Sequence, residues 1–221
     1  MSKWMIALYA FSGMMVAVSA GAADFADLAL PAPRLEGGKP LRQALKERQS
    51  SRAFSLKPLP LQLVSDLLWA AAGINRPDSG KRTAPSARNW QAVDVYVVME
   101  NGAYRYDATA NSLRAVVPGD LRKLTGMQDF AATAPLNLVY VADMARMAGA
   151  QSDEDRLLYA GAETGSISQN VYLFCASEGL ATVVRGSVER QALAGALKLS
   201  GQQKIILAQT VGYPAAEGEK Q

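Results

Sequence analysis

The chain has 221 residues, 49% of them apolar and 19% charged, which excludes bulk disorder and suits one domain with a substantial core. Its 23 basic and 20 acidic residues give a net charge of +3, so no nucleic-acid partner is expected. With no histidine and one cysteine, the chain cannot be a Ser-His-Asp hydrolase, form an intrachain disulfide or build a thiolate zinc cage, and we predict no metal site.

The N-terminal segment has the pattern of a secretory signal peptide. Residues 4–23 carry no charge, and Lys3 precedes them. The small residues of Ala20-Gly21-Ala22 predict cleavage after Ala22, with a rival site after Ala20. An uncleaved membrane anchor is the alternative, because about 20 uncharged residues can span a bilayer. We therefore predict a signal peptide over residues 1–22 and a periplasmic protein with no membrane association after cleavage.

The mature chain alternates short helices and strands. Residues 23–40 read as an extended lead-in because prolines and paired glycines interrupt them. Helical spacing of apolar residues predicts helices over 41–48 and from Pro60 to Gly73, followed by a polar loop over 75–86. The later predicted elements are strands over 93–99, 103–108, 112–117, 136–141, 181–184 and 204–211, and helices over 118–125, 155–178 and 188–197.

This order predicts an α+β fold with a mixed central sheet flanked by helices, in one domain over residues 41–214 with a disordered tail over 215–221. The nearly all-apolar run at 136–141 indicates a central strand covered on both faces. The long helix at 155–178 contains small residues, including Gly161 and Gly165, which cost helix propensity but permit the close approach of another backbone or a flat ligand.

The first candidate site follows the helix at 41–48. Arg48, Gln49, Ser50 and Arg52 place two guanidinium groups and a hydroxyl within five residues. Arginine binds phosphate through paired hydrogen bonds, and a serine hydroxyl can complete the shell of an anion. A structural role is the alternative, because the C-terminus of a helix attracts cations in any case.

Two further clusters precede and follow buried strands. Pro85, Ser86 and Asn89 lie in a polar loop before the strand at 93–99, where ligand contacts are common; the alternative is a polar turn that packs Trp90 into the core. The third cluster, residues 184–186, consists of Val184, Arg185 and Gly186, and its glycine would allow a backbone amide to face a ligand closely. By itself this third cluster is an ordinary connection after a strand.

In this order and at these separations the three clusters resemble the FMN-dependent nitroreductase family, over about residues 41–214. The chain looks closest to the branch of SagB-type, or thiazoline/oxazoline, dehydrogenases. The matching stretches are RTAPSARN at 82–89, VDVYVVMENGAYRYDATANSL at 93–113, SQNVYLFCASEGLAT at 168–182 and VGYP at 211–214.

The resemblance implies a role for each cluster. Arg48 and Ser50 would lie towards the FMN phosphate and ribityl chain, with Gln49 in the same motif, and Arg52 towards the pyrimidine edge. Pro85, Ser86 and Asn89 match the loop along the isoalloxazine ring. The backbone of residues 184–186 matches the stretch that approaches flavin N5. In this family the flavin itself exchanges the hydride and the protein orients it, so no catalytic side chain is assigned. Hydride transfer needs no histidine, which agrees with the composition.

The resemblance also implies an intertwined homodimer with FMN between the subunits, a small organic substrate and NAD(P)H as the electron donor. A non-catalytic flavin-binding or carrier protein is the alternative function. Two departures matter: the Lys-Tyr pair of the azoline dehydrogenases is absent, and only Lys220 supplies a basic residue near the C-terminus. Export adds a third problem, because NAD(P)H is cytoplasmic and the flavin would have to be acquired after translocation. Either the signal-peptide prediction is wrong or the electron donor is something other than NAD(P)H.

Overall fold

A computed structural model describes residues 25–216 of the chain. The predicted signal peptide and residues 217–221 of the predicted tail lie outside the described residues. The helices are α1 (Leu41–Glu47), α2 (Leu61–Ala72), α3 (Phe130–Thr133), α4 (Asp153–Glu178) and α5 (Arg190–Ala196). The strands are β1 (Leu28–Ala29), β2 (Ile74–Arg76), β3 (Lys81–Arg82), β4 (Val93–Met99), β5 (Gly102–Asp107), β6 (Ser112–Pro118), β7 (Leu136–Asp143), β8 (Ala181–Arg185) and β9 (Gln203–Gly212).

Seven strands form the central sheet, in the order β1-β6-β5-β4-β7-β9-β8. The α+β fold with a central sheet and flanking helices is confirmed. The expectation of mixed strand directions is wrong, because every pairing in the described part of this sheet is antiparallel. The long connection through α4 does make β7 and β8 run in the same direction. However, β9 lies between them and pairs antiparallel with both, so no parallel pair forms.

The interior position of β7 agrees with its composition. Each of its residues up to Ala142 is buried, since β4 and β9 flank it and both faces are covered. Leu138 and Tyr140 face the core beneath α2 and α4, whereas Val139 and Val141 face the core beneath α5. This alternation follows from the two-residue period of a strand and explains why an apolar run without polar gaps occurs here.

Two regions differ from the sequence expectation. The polar loop expected at 75–86 contains a two-stranded hairpin of β2 and β3. The lead-in is extended as expected, but it also supplies the edge strand β1, in which Leu28 pairs with Leu113 of β6. The side chain of Arg34 bonds Asp66 of α2 with Nε–Oδ2 at 2.8 Å, which fixes the lead-in across the helical face.

The helix α4 packs across the sheet, and its residues contact all three of the predicted clusters. Ser152 caps its first turn by accepting a hydrogen bond from the Asp155 N–H, and Gly179 ends it in a left-handed conformation with φ of 71°. Its inner face buries Ile167, Val171 and Cys175 against the core. None of the helices described between residues 25 and 216 is long and apolar enough to cross a membrane.

Candidate functional site

The segment after α1 runs along the open edge of β8. The helix ends at Glu47, and Arg48 leaves it with φ of −55° and ψ of 118°, outside helical geometry. The backbone then joins the edge strand, because the Ser51 N–H donates to the Thr182 carbonyl at 2.9 Å. This contact brings the first predicted cluster, residues 48–52, beside the third, residues 184–186.

The side chain of Tyr172, from the C-terminal part of α4, connects these two clusters. Its hydroxyl oxygen accepts the Val184 N–H at 2.9 Å and lies 2.8 Å from Ser50 Oγ. Its ring lies 5.3 Å from the guanidinium carbon of Arg48, within the range of a cation–π interaction. The sequence interpretation assigned Tyr172 no role, and a tyrosine in an otherwise ordinary helical stretch gives no signal that could have revealed this one.

A cavity of about 500 Å³ opens beside this junction, a volume within the usual range for small-ligand sites. Its wall includes three cationic side chains, Lys39, Lys46 and Arg48, and one carboxylate, Glu47. Lys39 Nζ pairs with Glu47 Oε2 at 2.6 Å, and this hydrogen bond is the main cause that lowers the pKa of Glu47. Since that pair is neutral overall, Lys46 and Arg48 leave the cavity with a positive charge suited to an anion.

The second predicted cluster lies near the N-terminal half of α4. Ser86 donates its hydroxyl proton to Glu163 Oε2 at 2.8 Å and accepts the Gln91 N–H at 2.7 Å. In the same loop Arg88, Asn89 and Gln91 adopt positive φ values of 50°, 56° and 46°. Such conformations are costly for residues other than glycine and are found most often where a loop is held in place for function.

The carboxylate of Glu163 holds this loop to the sheet. It accepts the N–H groups of Ala92 and Val93, at 3.3 Å each, in addition to the Ser86 hydroxyl. Burial is the main cause that raises the pKa of Glu163, while these hydrogen bonds and the charge of Arg82 oppose the rise. The sequence interpretation missed Glu163, which lies in a helix and gives no local sign of burial.

Glu163 and Tyr172 are nine residues apart on α4. A helix rises 1.5 Å per residue, so the two anchors are separated by roughly 13 Å along the axis. Within one chain, the structure therefore brings residues 48–52 together with residues 184–186 and leaves Pro85, Ser86 and Asn89 at a separate place.

A comparison with known protein families identifies the family of this chain. A family model described as the nitroreductase family matches residues 45–213. The chain belongs to the nitroreductase family. Members of this family are generally flavin-dependent oxidoreductases.

Individual relatives agree with this membership. A candidate nitroreductase of Methanocaldococcus jannaschii is 31% identical over 177 residues, which are 76% of this chain and 88% of the relative. The crystal structure of a candidate nitroreductase from Ralstonia eutropha JMP134 is 41% identical, with a TM-score of 0.83 over 93% of this chain and 97% of its own. NADPH:FMN oxidoreductase from Vibrio harveyi, solved with NAD+, shares the fold, with a TM-score of 0.60 and 20% identity over 82% of this chain and 71% of its own.

Arg185 of this nitroreductase-family chain is a buried cation held by neutral groups. Its side chain is 5% exposed and donates to Thr125 O, Asn137 Oδ1 and Thr210 Oγ1, each at 2.7 Å. Within the described residues its Nε has no hydrogen-bond partner. Burial lowers the pKa of Arg185 to about 10, so it is still charged at neutral pH.

The guanidinium of Arg185 also lies against Gly126, where a Cβ atom would overlap Nη1. Its side chain therefore clamps the segment that follows Thr125 to the sheet and does not line the cavity. The expected contact of this residue with flavin concerned its backbone, and that part stays a prediction.

Two backbone groups on the outer edge of β8 are already hydrogen-bonded within the chain, which limits the backbone groups of the third cluster that a ligand could contact. The outward-facing groups of an edge strand alternate with a period of two. Thr182 O and Val184 N–H face outward, and Ser51 and Tyr172 already use them. Gly186 follows the end of β8 and is exposed.

Proposed function

We propose that the protein is an FMN-dependent oxidoreductase that transfers a hydride through bound flavin to or from a small organic substrate. The observation that carries the proposal is the junction at Tyr172, where Ser50, Val184 and Arg48 meet beside a positively charged cavity. A group with a phosphate at one end fits this chemistry, because the junction offers a hydroxyl and a cation that no ion pair within residues 25–216 neutralises.

The residues that would hold FMN are those of the three clusters. Arg48 and Ser50 bind the phosphate and ribityl chain, with Gln49 beside them, and Arg52, which is exposed, faces the pyrimidine edge. Of residues 184–186, the Val184 N–H is already bonded to Tyr172, so the N–H of the exposed Gly186 is the one we propose for flavin N5. When bound, FMN supplies the hydride chemistry. The chain orients it, and the Arg52 guanidinium stabilises negative charge on the pyrimidine edge.

A homodimer would complete the site. Family members are typically homodimers, and two features of this chain support the same assembly here. The loop with Pro85, Ser86 and Asn89 is anchored roughly 13 Å along α4 from the Tyr172 junction of its own chain, and we propose that the partner subunit supplies it. The outer face of α4 is exposed, and no atom lies within 4 Å of a Cβ built on Gly161 or Gly165, so a second helix could approach there.

Substrate, branch and location complete the proposal. The segments 125–133 and 144–155 flank the clusters and would select the substrate. We propose the SagB-type branch on the four matching stretches, with a reductase activity, because the Lys-Tyr pair of azoline oxidation is absent. NAD(P)H is the proposed donor, as the name of the Vibrio harveyi enzyme suggests for a protein of this fold. Export to the periplasm rests on residues 1–22 alone, and an exported protein would need an electron donor other than NAD(P)H.

An anaerobic reduction experiment tests the activity. The purified protein is loaded with FMN and mixed with NADH, NADPH or dithionite while the flavin absorbance is followed. Bleaching by a nicotinamide, followed by reoxidation with a nitroaromatic or a quinone, supports the oxidoreductase. Bound flavin that dithionite bleaches but neither nicotinamide nor acceptor affects indicates the non-catalytic flavin carrier instead.

A further inference from the structure

Tyr172 contacts three residues that the family resemblance predicts to bind the cofactor. The side chain is 7% exposed and projects from α4 towards the edge of β8. It contacts the backbone of Val184, the hydroxyl of Ser50 and the guanidinium of Arg48. One residue thus sets the relative position of two chain segments more than 130 residues apart.

One of the two hydrogen bonds at the Tyr172 hydroxyl has a fixed direction. The Val184 N–H can only donate, so the phenol oxygen accepts that bond. The phenol proton then needs an acceptor of its own, because a buried hydroxyl is rarely left unsatisfied. Ser50 Oγ lies 2.8 Å away and either hydroxyl could donate in this contact, so the need to satisfy the phenol proton assigns Ser50 as the acceptor. Ser50 is consequently left with its own proton to donate, and the series Val184 N–H, Tyr172 O–H, Ser50 O–H ends on a donor.

The ring of Tyr172 acts on Arg48 without cancelling its charge. A carboxylate at this position would fix the guanidinium but neutralise it, whereas an aromatic face orients it and leaves the positive charge. The ring centroid lies 5.3 Å from the guanidinium carbon of Arg48. The hydroxyl and the ring of Tyr172 therefore hold the Ser50 hydroxyl near the Arg48 guanidinium, which lines the cavity. A hydroxyl beside an intact cation is a combination that recognises an oxyanion.

We infer that Tyr172 is a positioning residue that sets Ser50 as a donor and Arg48 as an unneutralised cation towards the phosphate of FMN. The inference rests on the proposed function, since it assigns the oxyanion to that cofactor. Free inorganic phosphate has the same chemistry and is distinguished by the experiment.

The test compares FMN with riboflavin, which lacks the phosphate. Tyr172→Phe keeps the ring and removes the hydroxyl. Tyr106→Phe is the matched control, because Tyr106 is also 7% exposed and its hydroxyl bonds Asn111 at 3.3 Å, in the strand β5 away from the junction. Dissociation constants for both flavins are measured by fluorescence quenching, with and without inorganic phosphate, and the melting temperature of each variant is recorded.

The expected result is a change in selectivity. Tyr172→Phe weakens FMN binding about fivefold, the effect of one hydrogen bond, and changes riboflavin binding by less than about twofold. Tyr106→Phe leaves both affinities unchanged. Inorganic phosphate competes with FMN in the wild type and competes less well in Tyr172→Phe. Tyr172→Leu, which also removes the ring, weakens FMN binding further.

Two results would overturn the inference. If Tyr172→Phe weakens the binding of FMN and of riboflavin equally, the hydroxyl has only a structural role. If it weakens the binding of neither flavin, the hydroxyl has no role in flavin binding. Both leave the proposed function standing, because the wild type still binds FMN. A wild type that binds neither flavin contradicts the proposed function itself, and the role of Tyr172 with it.

Discussion

The hydroxyl of Ser86 donates a 2.8 Å hydrogen bond to Glu163 Oε2, and this contact ties a strained loop to the long helix. Three residues of that loop, Arg88, Asn89 and Gln91, have positive φ values. A strained backbone persists only where its surroundings fix it. Glu163 supplies that restraint, together with its bonds to the N–H groups at the start of β4.

Ser86→Ala should therefore loosen the loop and lower stability. Loss of the hydroxyl leaves part of the Glu163 carboxylate and the Gln91 N–H without a partner, at a cost of about 1–3 kcal/mol. In a chain of this size each kcal/mol lowers the melting temperature by roughly 2–4 °C. Ser79→Ala is the control, because Ser79 is exposed and makes only a 3.4 Å contact. Equal melting temperatures for the Ser86 variant and the wild type would contradict this role.

Glu163→Gln should change how stability depends on pH. Burial raises the pKa of Glu163 above its ordinary value of 4.5. Between 4.5 and the raised pKa the folded state holds more protons than the unfolded state, so this group makes stability fall as pH rises through that interval. Glutamine does not titrate. The free energy of unfolding of the variant minus that of the wild type should therefore rise with pH across the interval, as measured by urea denaturation.

The contact between Gly126 and Arg185 predicts a coupled pair. A methyl group at position 126 overlaps the guanidinium, so Gly126→Ala should destabilise the protein by about 1–3 kcal/mol. Arg185→Met removes the obstacle, and the double variant should lose less than the sum of the two single variants. Gly195→Ala is the control, because nothing lies within 4 Å of its Cβ position in α5. Strict additivity would show that the two residues do not interact.

The outer face of α4 predicts an effect on assembly rather than on the single chain. A Cβ atom at Gly161 or Gly165 meets nothing within 4 Å in one protomer, and both positions are exposed, so leucine there should be tolerated by the single chain, where it also raises helix propensity. If α4 packs on its twin, the double variant should sediment as a monomer and lose FMN, while Gly195→Leu stays dimeric. A double variant that stays dimeric and keeps FMN would exclude α4 from the interface.

The sequence predicted the elements that carry a strong pattern and missed those set by tertiary contacts. β7 was predictable because its apolar run requires cover on both faces. The β2–β3 hairpin was not, since strands of only three and two residues, Ile74 apart all polar, are too short to show an alternation. Strand direction also escaped prediction, because the insertion of β9 between β7 and β8 is a property of the topology.

The residues of the candidate site also fall into those that a sequence pattern indicated and those that only tertiary contacts reveal. The family motif pointed to Arg48, Ser50 and Val184, and the structure brings these three residues together around Tyr172, while their contact with flavin stays a prediction. Tyr172 and Glu163 were not, because a buried tyrosine and a buried glutamate look ordinary in a helical stretch until their partners from distant segments are known. The direction of the Arg185 side chain, into the core, likewise depends on acceptors from three other segments of the chain.

FMN binding by wild type and by Arg48→Ala/Arg52→Ala is the most direct test of the central claim, that the junction at Tyr172 holds a flavin by its phosphate end. Titration calorimetry of the purified protein should give one FMN per chain. The double variant should bind FMN at least about 100-fold more weakly, since hydrogen bonds to charged groups contribute about 1.5–3 kcal/mol each. Arg42→Ala is the control, because Arg42 is an exposed residue of α1, and this variant should bind FMN as the wild type does. Unchanged stoichiometric binding in the double variant would contradict the account.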